Sequence, residues 1–351
     1  MRVAIVNDVP LAVEALRRVV TSVSSYDVAW IATDGEQAVA RCAEDVPDVI
    51  LMDLMMPRMD GAEATRRIMQ QSPCAILVVT ATVGGHAGKV FEAMGFGALD
   101  AVDTPVLGPS GDPSGAGPLL AKIAMLGRLI APGPARAASA VAQPLRSSVI
   151  GAEVPLVAIG ASTGGPAALA RVLGGVPRGL SAAIAIVQHV DEQFAPGLAS
   201  WLKNRTGHDV AAIAAGDRPQ ADRVLIASTN DHLVLTPDGT YRYTAEPADY
   251  PYRPSVDVFL RSVIRTWRGP AIGVLLTGMG SDGAEGLLGF KQAAWHTIAQ
   301  DQATSVVFGM PKAAARLNAA IEVLPVDEIG PAIVRAVEGA RARRPGERIR
   351  A

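Results

Sequence analysis

Short apolar runs alternate with amphipathic stretches along two long parts of this chain. That alternation restricts it to parallel sheets covered by helices on both faces. Before Pro105, "RVAIVND", "DVILMD" and "CAILVVT" read as strands, and "ALDAVDT" as a weaker fourth. "PLAVEALRRVV" reads as a helix, with Pro10 in its first turn and Ala12, Leu16, Val19 and Val20 on one face. From Val154 the alternation resumes with "VPLVAIG", "AAIAIVQHV", "DRVLIAST" and "AIGVLLTG". Between the two parts, "LGPSGDPSGAGP" predicts loop and "LLAKIAMLGRLI" a last helix. "APGPARAASAVAQPLRSS" lacks periodicity and large apolar residues and reads as a linker. The expected division is a first domain over 1–130, a linker over 131–153 and a second α/β domain over 154–345. The tail "RARRPGERIR" reads as a solvated end, and neither an internal repeat nor a cofactor fingerprint stands out.

A length of 351 residues with 49% hydrophobic content suits two cores. Charged residues are 19% and the net charge is −2, so there is no basic footprint for nucleic acid. Cys42 and Cys74 fit a reduced compartment and read as small buried filler. No apolar run reaches the ~18 residues of a membrane span. "MRVAIVNDVP" is interrupted by Asp8 too soon for a signal peptide. The expectation is a soluble cytoplasmic protein with no membrane insertion.

Asp8 ends the first strand, Asp53 ends "DVILMD" and Thr80 ends "CAILVVT". Polar residues at the carboxyl ends of neighbouring parallel strands converge on one crevice. Carboxylates gathered there repel one another unless a hard cation sits between them, and Mg²⁺ suits oxygen ligands and retained waters. Each Asp taken alone also reads as a helix cap. "IVND", "ILMDLMMPRMDG" and "VVTAT" resemble the receiver domain of bacterial response regulators. The resemblance implies a flavodoxin-like fold, with Mg²⁺ held by Asp8, Asp53 and the carbonyl of Met55. It also implies that Asp53 takes a phosphoryl group from a histidine kinase, with Thr80 contacting the phosphoryl oxygens. Two positions depart from that pattern: Asn7 stands where receivers carry an acid, and Thr104 where they carry a lysine.

In the second domain "VAIGASTGG" runs from a strand into a small-residue turn carrying Ser162. A phosphate cradle, a helix cap at Ser162 or Thr163, and a nucleophile look alike at this level. "GASTGG" lacks the lysine and the glycine spacing of a P-loop. His189 follows "AAIAIVQ" and Asp282 lies in "VLLTGMGSDGAEG", each near a strand end. A serine nucleophile needs a base and the base needs an orienter, and Ser162, His189 and Asp282 supply all three types. His86, His208, His232 and His296 read as structural.

"IGASTGGP", "VQHV", "YRPSVDVFLRSV", "LLTGMGSDGAEG" and "SVVFGMPKAA", in that order after a receiver, resemble the chemotaxis protein-glutamate methylesterase (CheB) family. By resemblance Ser162 is the nucleophile, His189 the base, Asp282 its orienter and the Met279 N–H an oxyanion donor. The implied reaction is hydrolysis of γ-glutamyl methyl esters on the cytoplasmic helical region of chemoreceptors, releasing methanol, with deamidation of receptor glutamine alongside. The implied regulator is a CheA-type histidine kinase, and the esterase needs no cofactor. "IASTNDHLVL" departs from the family, with Ser228, Thr229 and Asn230 where a Pro-Gly turn is expected. "VNDVPLAVEALRR" and "ALDAVDTP" resemble the WspF-type branch, whose output is a diguanylate cyclase. The competing expectations are a phosphorylation-dependent adaptor with a vestigial esterase site and a DNA-binding response regulator.

Overall fold

The computed structural model describes residues 1–80, 87–107, 113–130, 154–248, 250 and 252–342. The predicted linker, the tail beyond Ala342, His86 and the end of "VVTAT" lie outside the described residues. The chain forms two compact units, Met1–Arg136 and Ala137–Ala351.

The first unit runs β1 (Arg2–Val6), α1 (Pro10–Thr21), β2 (Asp27–Ala32), α2 (Gly35–Glu44), β3 (Val49–Met52), α3 (Gly61–Gln71), β4 (Ala75–Thr80), α4 (Ala87–Phe96) and β5 (Asp100–Asp103). A short antiparallel pair, β6 (Val106–Leu107) and β7 (Pro113–Ser114), precedes α5 (Ala116–Ile130). The stretch predicted as loop therefore holds β7 and the first turn of α5. Parallel pairing gives the order β2-β1-β3-β4-β5, the flavodoxin-like arrangement. β3 and β4 are buried throughout, and apolar up to the terminal Thr80, because helices cover both faces of a parallel sheet. α1 buries Ala15, Leu16, Val19 and Val20, so Ala15 takes the place expected for Ala12.

The second unit runs β8 (Leu156–Ala161), α6 (Gly165–Gly174), β9 (Ala183–Gln188), α7 (Ala195–Thr206), β10 (Asp209–Ala212), β11 (Arg223–Ile226), β12 (His232–Leu235), β13 (Tyr241–Thr244) and α8 (Val256–Thr266). It continues with β14 (Ala271–Leu275), α9 (Ala284–Gln292), β15 (His296–Gln300), α10 (Met310–Arg316), β16 (Glu322–Leu324) and α11 (Val326–Ala342). Seven parallel strands take the order β10-β11-β9-β8-β14-β15-β16. β12 and β13 form a separate antiparallel hairpin.

Side chains alternate between faces along β8. Leu156 and Ala158 join Val256, Phe259, Leu260 and Val263 of α8 and Leu287 and Phe290 of α9 in one core. α6, α7 and α11 pack together on the opposite face. β8 is central, and the chain moves outward to β9 on one side before returning to β14 on the other. The crevice at such a reversal lies at the carboxyl ends of the strands.

Candidate active site

Ser162 is the first residue past β8 and His189 the first past β9. Ala161 pairs with Gln188, and the His189 N–H donates to the Ala161 carbonyl at 3.0 Å. The two side chains therefore leave adjacent strands, about 4.8 Å apart, at the same level. α6 starts at Gly165 with Gly164 as its N-cap, at φ 77°, and no side chain caps it. That geometry removes the helix-cap reading of Ser162 and Thr163. The Gln188 carboxamide spans the two strand ends, donating from Nε2 to the carbonyls of Ser162 at 2.9 Å and His189 at 3.1 Å.

Asp282 lies past β14, in the turn before α9. Its Oδ2 meets His189 Nε2 at 2.8 Å and accepts from the Val256 N–H at 2.7 Å. Its Oδ1 accepts from Ser255 Oγ at 2.8 Å and the Asp257 N–H at 3.1 Å. Val256 and Asp257 open α8, so the carboxylate sits where that helix aims unpaired N–H groups and the positive end of its dipole. Burial pushes the Asp282 carboxyl up, but the His189 hydrogen bond and charge, with the Asp257 N–H and Ser255, outweigh it and hold the group below the usual range. A carboxylate only accepts, so His189 Nε2 carries the ring proton and Nδ1 keeps its lone pair. Nδ1 is buried and has no hydrogen-bond partner among the described residues. This is the reverse of the serine-protease template, where Nδ1 faces the acid.

A third segment closes on Ser162. A methyl group placed on Gly278 would stand 2.7 Å from Ser162 Cβ and 2.3 Å from Met310 Sδ, so only glycine lets this turn approach. Met279 is the next residue, and among the described residues its N–H has no acceptor. The turn is fixed from behind. The Gly278 carbonyl accepts from the N–H groups of Gly309 at 3.1 Å and Met310 at 2.9 Å. Thr277 Oγ1 donates to the Thr163 carbonyl at 2.9 Å.

Sequence reasoning missed Gln188, Ser255 and Thr277. Gln188 stands in the quoted segment "VQHV" beside His189, Ser255 in "YRPSVDVFLRSV" and Thr277 in "LLTGMGSDGAEG". His232, read as structural, accepts the Ser255 N–H on Nδ1 at 3.1 Å and donates from Nε2 to Pro247 at 3.0 Å. Burial lowers its pKa and keeps the ring neutral for that acceptor role. His208 donates to the Leu173 and Val176 carbonyls and His296 pairs with Glu322, away from this site. Asn230, in the segment that departs from the family, accepts the Glu192 N–H at 3.0 Å and so braces the turn after His189.

In the first unit Asp53 is the first residue past β3, Asp8 the second past β1, and Thr80 the last of β4. The caps of α1 and α3 are Val9 and Asp60, so neither Asp8 nor Asp53 caps a helix. Asp53 Oδ1 accepts from the N–H groups of Leu54 at 2.7 Å and Met55 at 3.4 Å. A methyl group on Gly61 would come within 1.9 Å of the Asp53 carbonyl, which explains the glycine that ends "PRMDG". Asn7 is buried, with its Oδ1 taken by the Val9 N–H at 2.8 Å. Two carboxylates and a carbonyl are hard oxygen donors that fit Mg²⁺, which binds through one or two carboxylates and keeps its remaining waters. The Thr104 N–H donates to the Thr80 carbonyl at 3.0 Å, placing position 104 beside Thr80.

A flavodoxin-like unit with carboxylates at its strand ends, and a second parallel-sheet unit with a serine, a histidine and a carboxylate at its strand ends, have the form of a receiver joined to a hydrolase of α/β architecture. Residues 157–333 match the family described as CheB methylesterase, and residues 3–107 match the response regulator receiver domain. A protein-glutamate methylesterase/protein-glutamine glutaminase of Burkholderia thailandensis is 55% identical over 344 residues, covering 98% of this chain and 100% of that one. One from Pseudomonas fluorescens is 54% identical over 334 residues, covering 95% and 98%. The crystal structure of the Thermotoga maritima CheB methylesterase catalytic domain superposes with a TM-score of 0.50 at 32% identity, covering 52% of this chain and 98% of that one. The chain belongs to the CheB methylesterase family, and is a receiver-bearing hydrolase. A receiver domain implies phosphorylation, typically with Mg²⁺. Among the described residues no helix is long and apolar enough to cross a membrane.

Proposed function

We propose that Ser162 is the nucleophile of this hydrolase, His189 its general base through Nδ1, and Asp282 the orienter of His189. The observation that carries this reading is the His189 Nε2–Asp282 hydrogen bond, which leaves a buried Nδ1 lone pair on the residue that follows β9, the strand paired beside the one that ends at Ser162. Nδ1 takes the Ser162 proton as Oγ attacks the carbonyl carbon of a γ-glutamyl methyl ester. The Met279 N–H donates to the oxyanion, and the α6 N-terminus adds its field. His189 returns the proton to the departing methanol. Water activated by the same nitrogen then releases glutamate, and with a glutamine side chain the leaving group is ammonia.

In the receiver, Asp53 accepts the phosphoryl group from a CheA-type histidine kinase and Thr80 contacts its oxygens. Asp8, Asp53 and the Met55 carbonyl would hold Mg²⁺, which would neutralise phosphoryl charge there. The substrate is the cytoplasmic helical region of a chemoreceptor, which makes the site of action cytoplasmic. Residues 131–153 link the receiver over 1–130 to the esterase over 154–345. "VNDVPLAVEALRR" and "ALDAVDTP" support a WspF-type pathway, tested by whether deletion changes cyclic diguanylate levels and not motility. The test of the catalytic reading is methanol release from methylated receptor. Ser162→Ala and His189→Ala, each folded by thermal melt, should lose on the order of 10⁶-fold in kcat. Near-normal turnover by Ser162→Ala refutes it.

A further inference from the structure

Tyr252 stands just ahead of α8, and its ring lies on the His189 imidazole. The centroids are 4.3 Å apart and the planes 9° from parallel. The residue is 9% exposed, and its hydroxyl is buried without a hydrogen-bond partner among the described residues. That hydroxyl sits against the turn that closes on Ser162: a methyl group placed on Gly280 would be 3.4 Å from it. Stacking explains an aromatic ring at this position but not the oxygen. Phenylalanine would stack equally well and leave no buried polar atom unpaired. Unpaired buried hydroxyls are rare in folded proteins, and each one calls for a partner that the chain does not provide. The hydroxyl lies beside both His189 and the turn that carries Met279.

We propose that Tyr252 is a further catalytic residue, whose hydroxyl donates a hydrogen bond to an oxygen of the acyl group under attack and whose ring holds the His189 imidazole in plane. The proposal rests on the assignment of Ser162 and His189 above. Burial, and then the charge of Asp282, hold the phenol well above its ordinary pKa, so the group is a neutral donor throughout the working range. A donor aimed at an oxyanion gains strength as negative charge develops, so its loss falls on kcat more than on KM.

The test uses the full-length protein and methanol release from a chemoreceptor fragment methylated on glutamate. Tyr252→Phe keeps the ring and removes the oxygen. It should lower kcat by roughly 10- to 100-fold, toward the loss seen for a single oxyanion-hole donor, with KM and the acidic limb of the pH profile unchanged. Its Tm should equal or exceed that of the wild type, because no intramolecular bond is lost. Tyr252→Leu removes the stack as well and should also move the acidic limb, which reports the base. Wild-type kcat in Tyr252→Phe overturns the donor role, and a fall in its Tm shows a structural hydroxyl and overturns it too. An unmoved acidic limb in Tyr252→Leu overturns the positioning role. Activity retained by Ser162→Ala would instead defeat the catalytic assignment on which the proposal rests.

Discussion

Replacing Asp282 by asparagine preserves the shape of the side chain and inverts half of its hydrogen bonding. The carboxylate accepts from Ser255 Oγ and Asp257 N–H on Oδ1, and from Val256 N–H and His189 Nε2 on Oδ2. An amide has one acceptor oxygen and one NH₂. With its oxygen in the Oδ1 place, the NH₂ faces His189. The imidazole must then present a bare Nε2 and carry its proton on Nδ1, the nitrogen Ser162 needs. With the oxygen in the Oδ2 place, the NH₂ faces the Asp257 N–H, and the hydroxyl of Ser255 turns to accept. Each placement leaves one buried backbone N–H of α8 unpaired, a cost of about 1–3 kcal/mol. That corresponds to a Tm fall of several degrees for a domain of about 200 residues. Both placements also remove the negative charge that stabilises the imidazolium. kcat should fall by up to about 10⁴-fold, the loss known for a wrong histidine tautomer. Asp282→Ala permits either tautomer and should be the milder change in kcat. The assay is methanol release alongside a thermal melt. An Asp282→Asn protein within tenfold of wild-type kcat would show that this carboxylate does not set the tautomer.

Gly278→Ala must move the added methyl from 2.7 Å to at least 3.4 Å from Ser162 Cβ, a shift of about 0.7 Å at the nucleophile. Displacements near 1 Å cost about 10²-fold, and adding Met310→Ala should relieve only the sulfur clash. Full recovery of methanol release in that double variant would refute the reasoning. Incubation with a small phosphodonor and Mg²⁺ should label the wild type and leave Asp53→Ala unlabelled, and label in that variant would remove Asp53 as acceptor. Thr104→Lys should strengthen the activation of methanol release by phosphodonor, because it places a cation beside Thr80; an unchanged or weaker response counts against that placement. Burial and the charge of Asp282 push the Asp257 carboxyl up from 3.8 to about 7. The folded state keeps this proton while the unfolded chain releases it, so the contribution is complete below about pH 4 and lost as pH rises through about 7. Asp257→Asn should therefore flatten the fall in Tm between pH 4 and 7, and equal slopes for the two proteins would contradict the shift.

The parts of the fold legible in the sequence were those whose burial leaves a continuous apolar run. β3, β4, β8, β9 and β14 are apolar because both faces are covered. β2 alternates at a sheet edge, β10 is "DVAA", β15 carries His296, Thr297 and Gln300, and β16 has three residues, so none presents a run. The hairpin of β12 and β13 did leave a mark, the Asp238–Gly239 pair that suits a tight turn. Ser162 and Asp53 were legible as strand ends because a polar residue directly after an apolar run marks one, and His189 because it follows such a run by one residue. The roles of Gln188 and Ser255 are spatial: each acts on a residue 26 or 27 positions away. Which imidazole nitrogen faces the acid has no trace in the sequence, because it is decided by where the start of α8 meets the turn before α9.

The clasp of Asp282 by α8 has a consequence for signalling. Three bonds to this acid, from Ser255 Oγ and the N–H groups of Val256 and Asp257, form when the start of α8 packs against the turn before α9, and the Gln188 bridge forms when two strands pair. Neither waits for an input. On the catalytic reading proposed above, the base and its acid are aligned by contacts within the second unit. That reading predicts that phosphorylation of the receiver changes the admission of substrate and leaves the chemical step alone. Its signature would be a change in KM with kcat held constant.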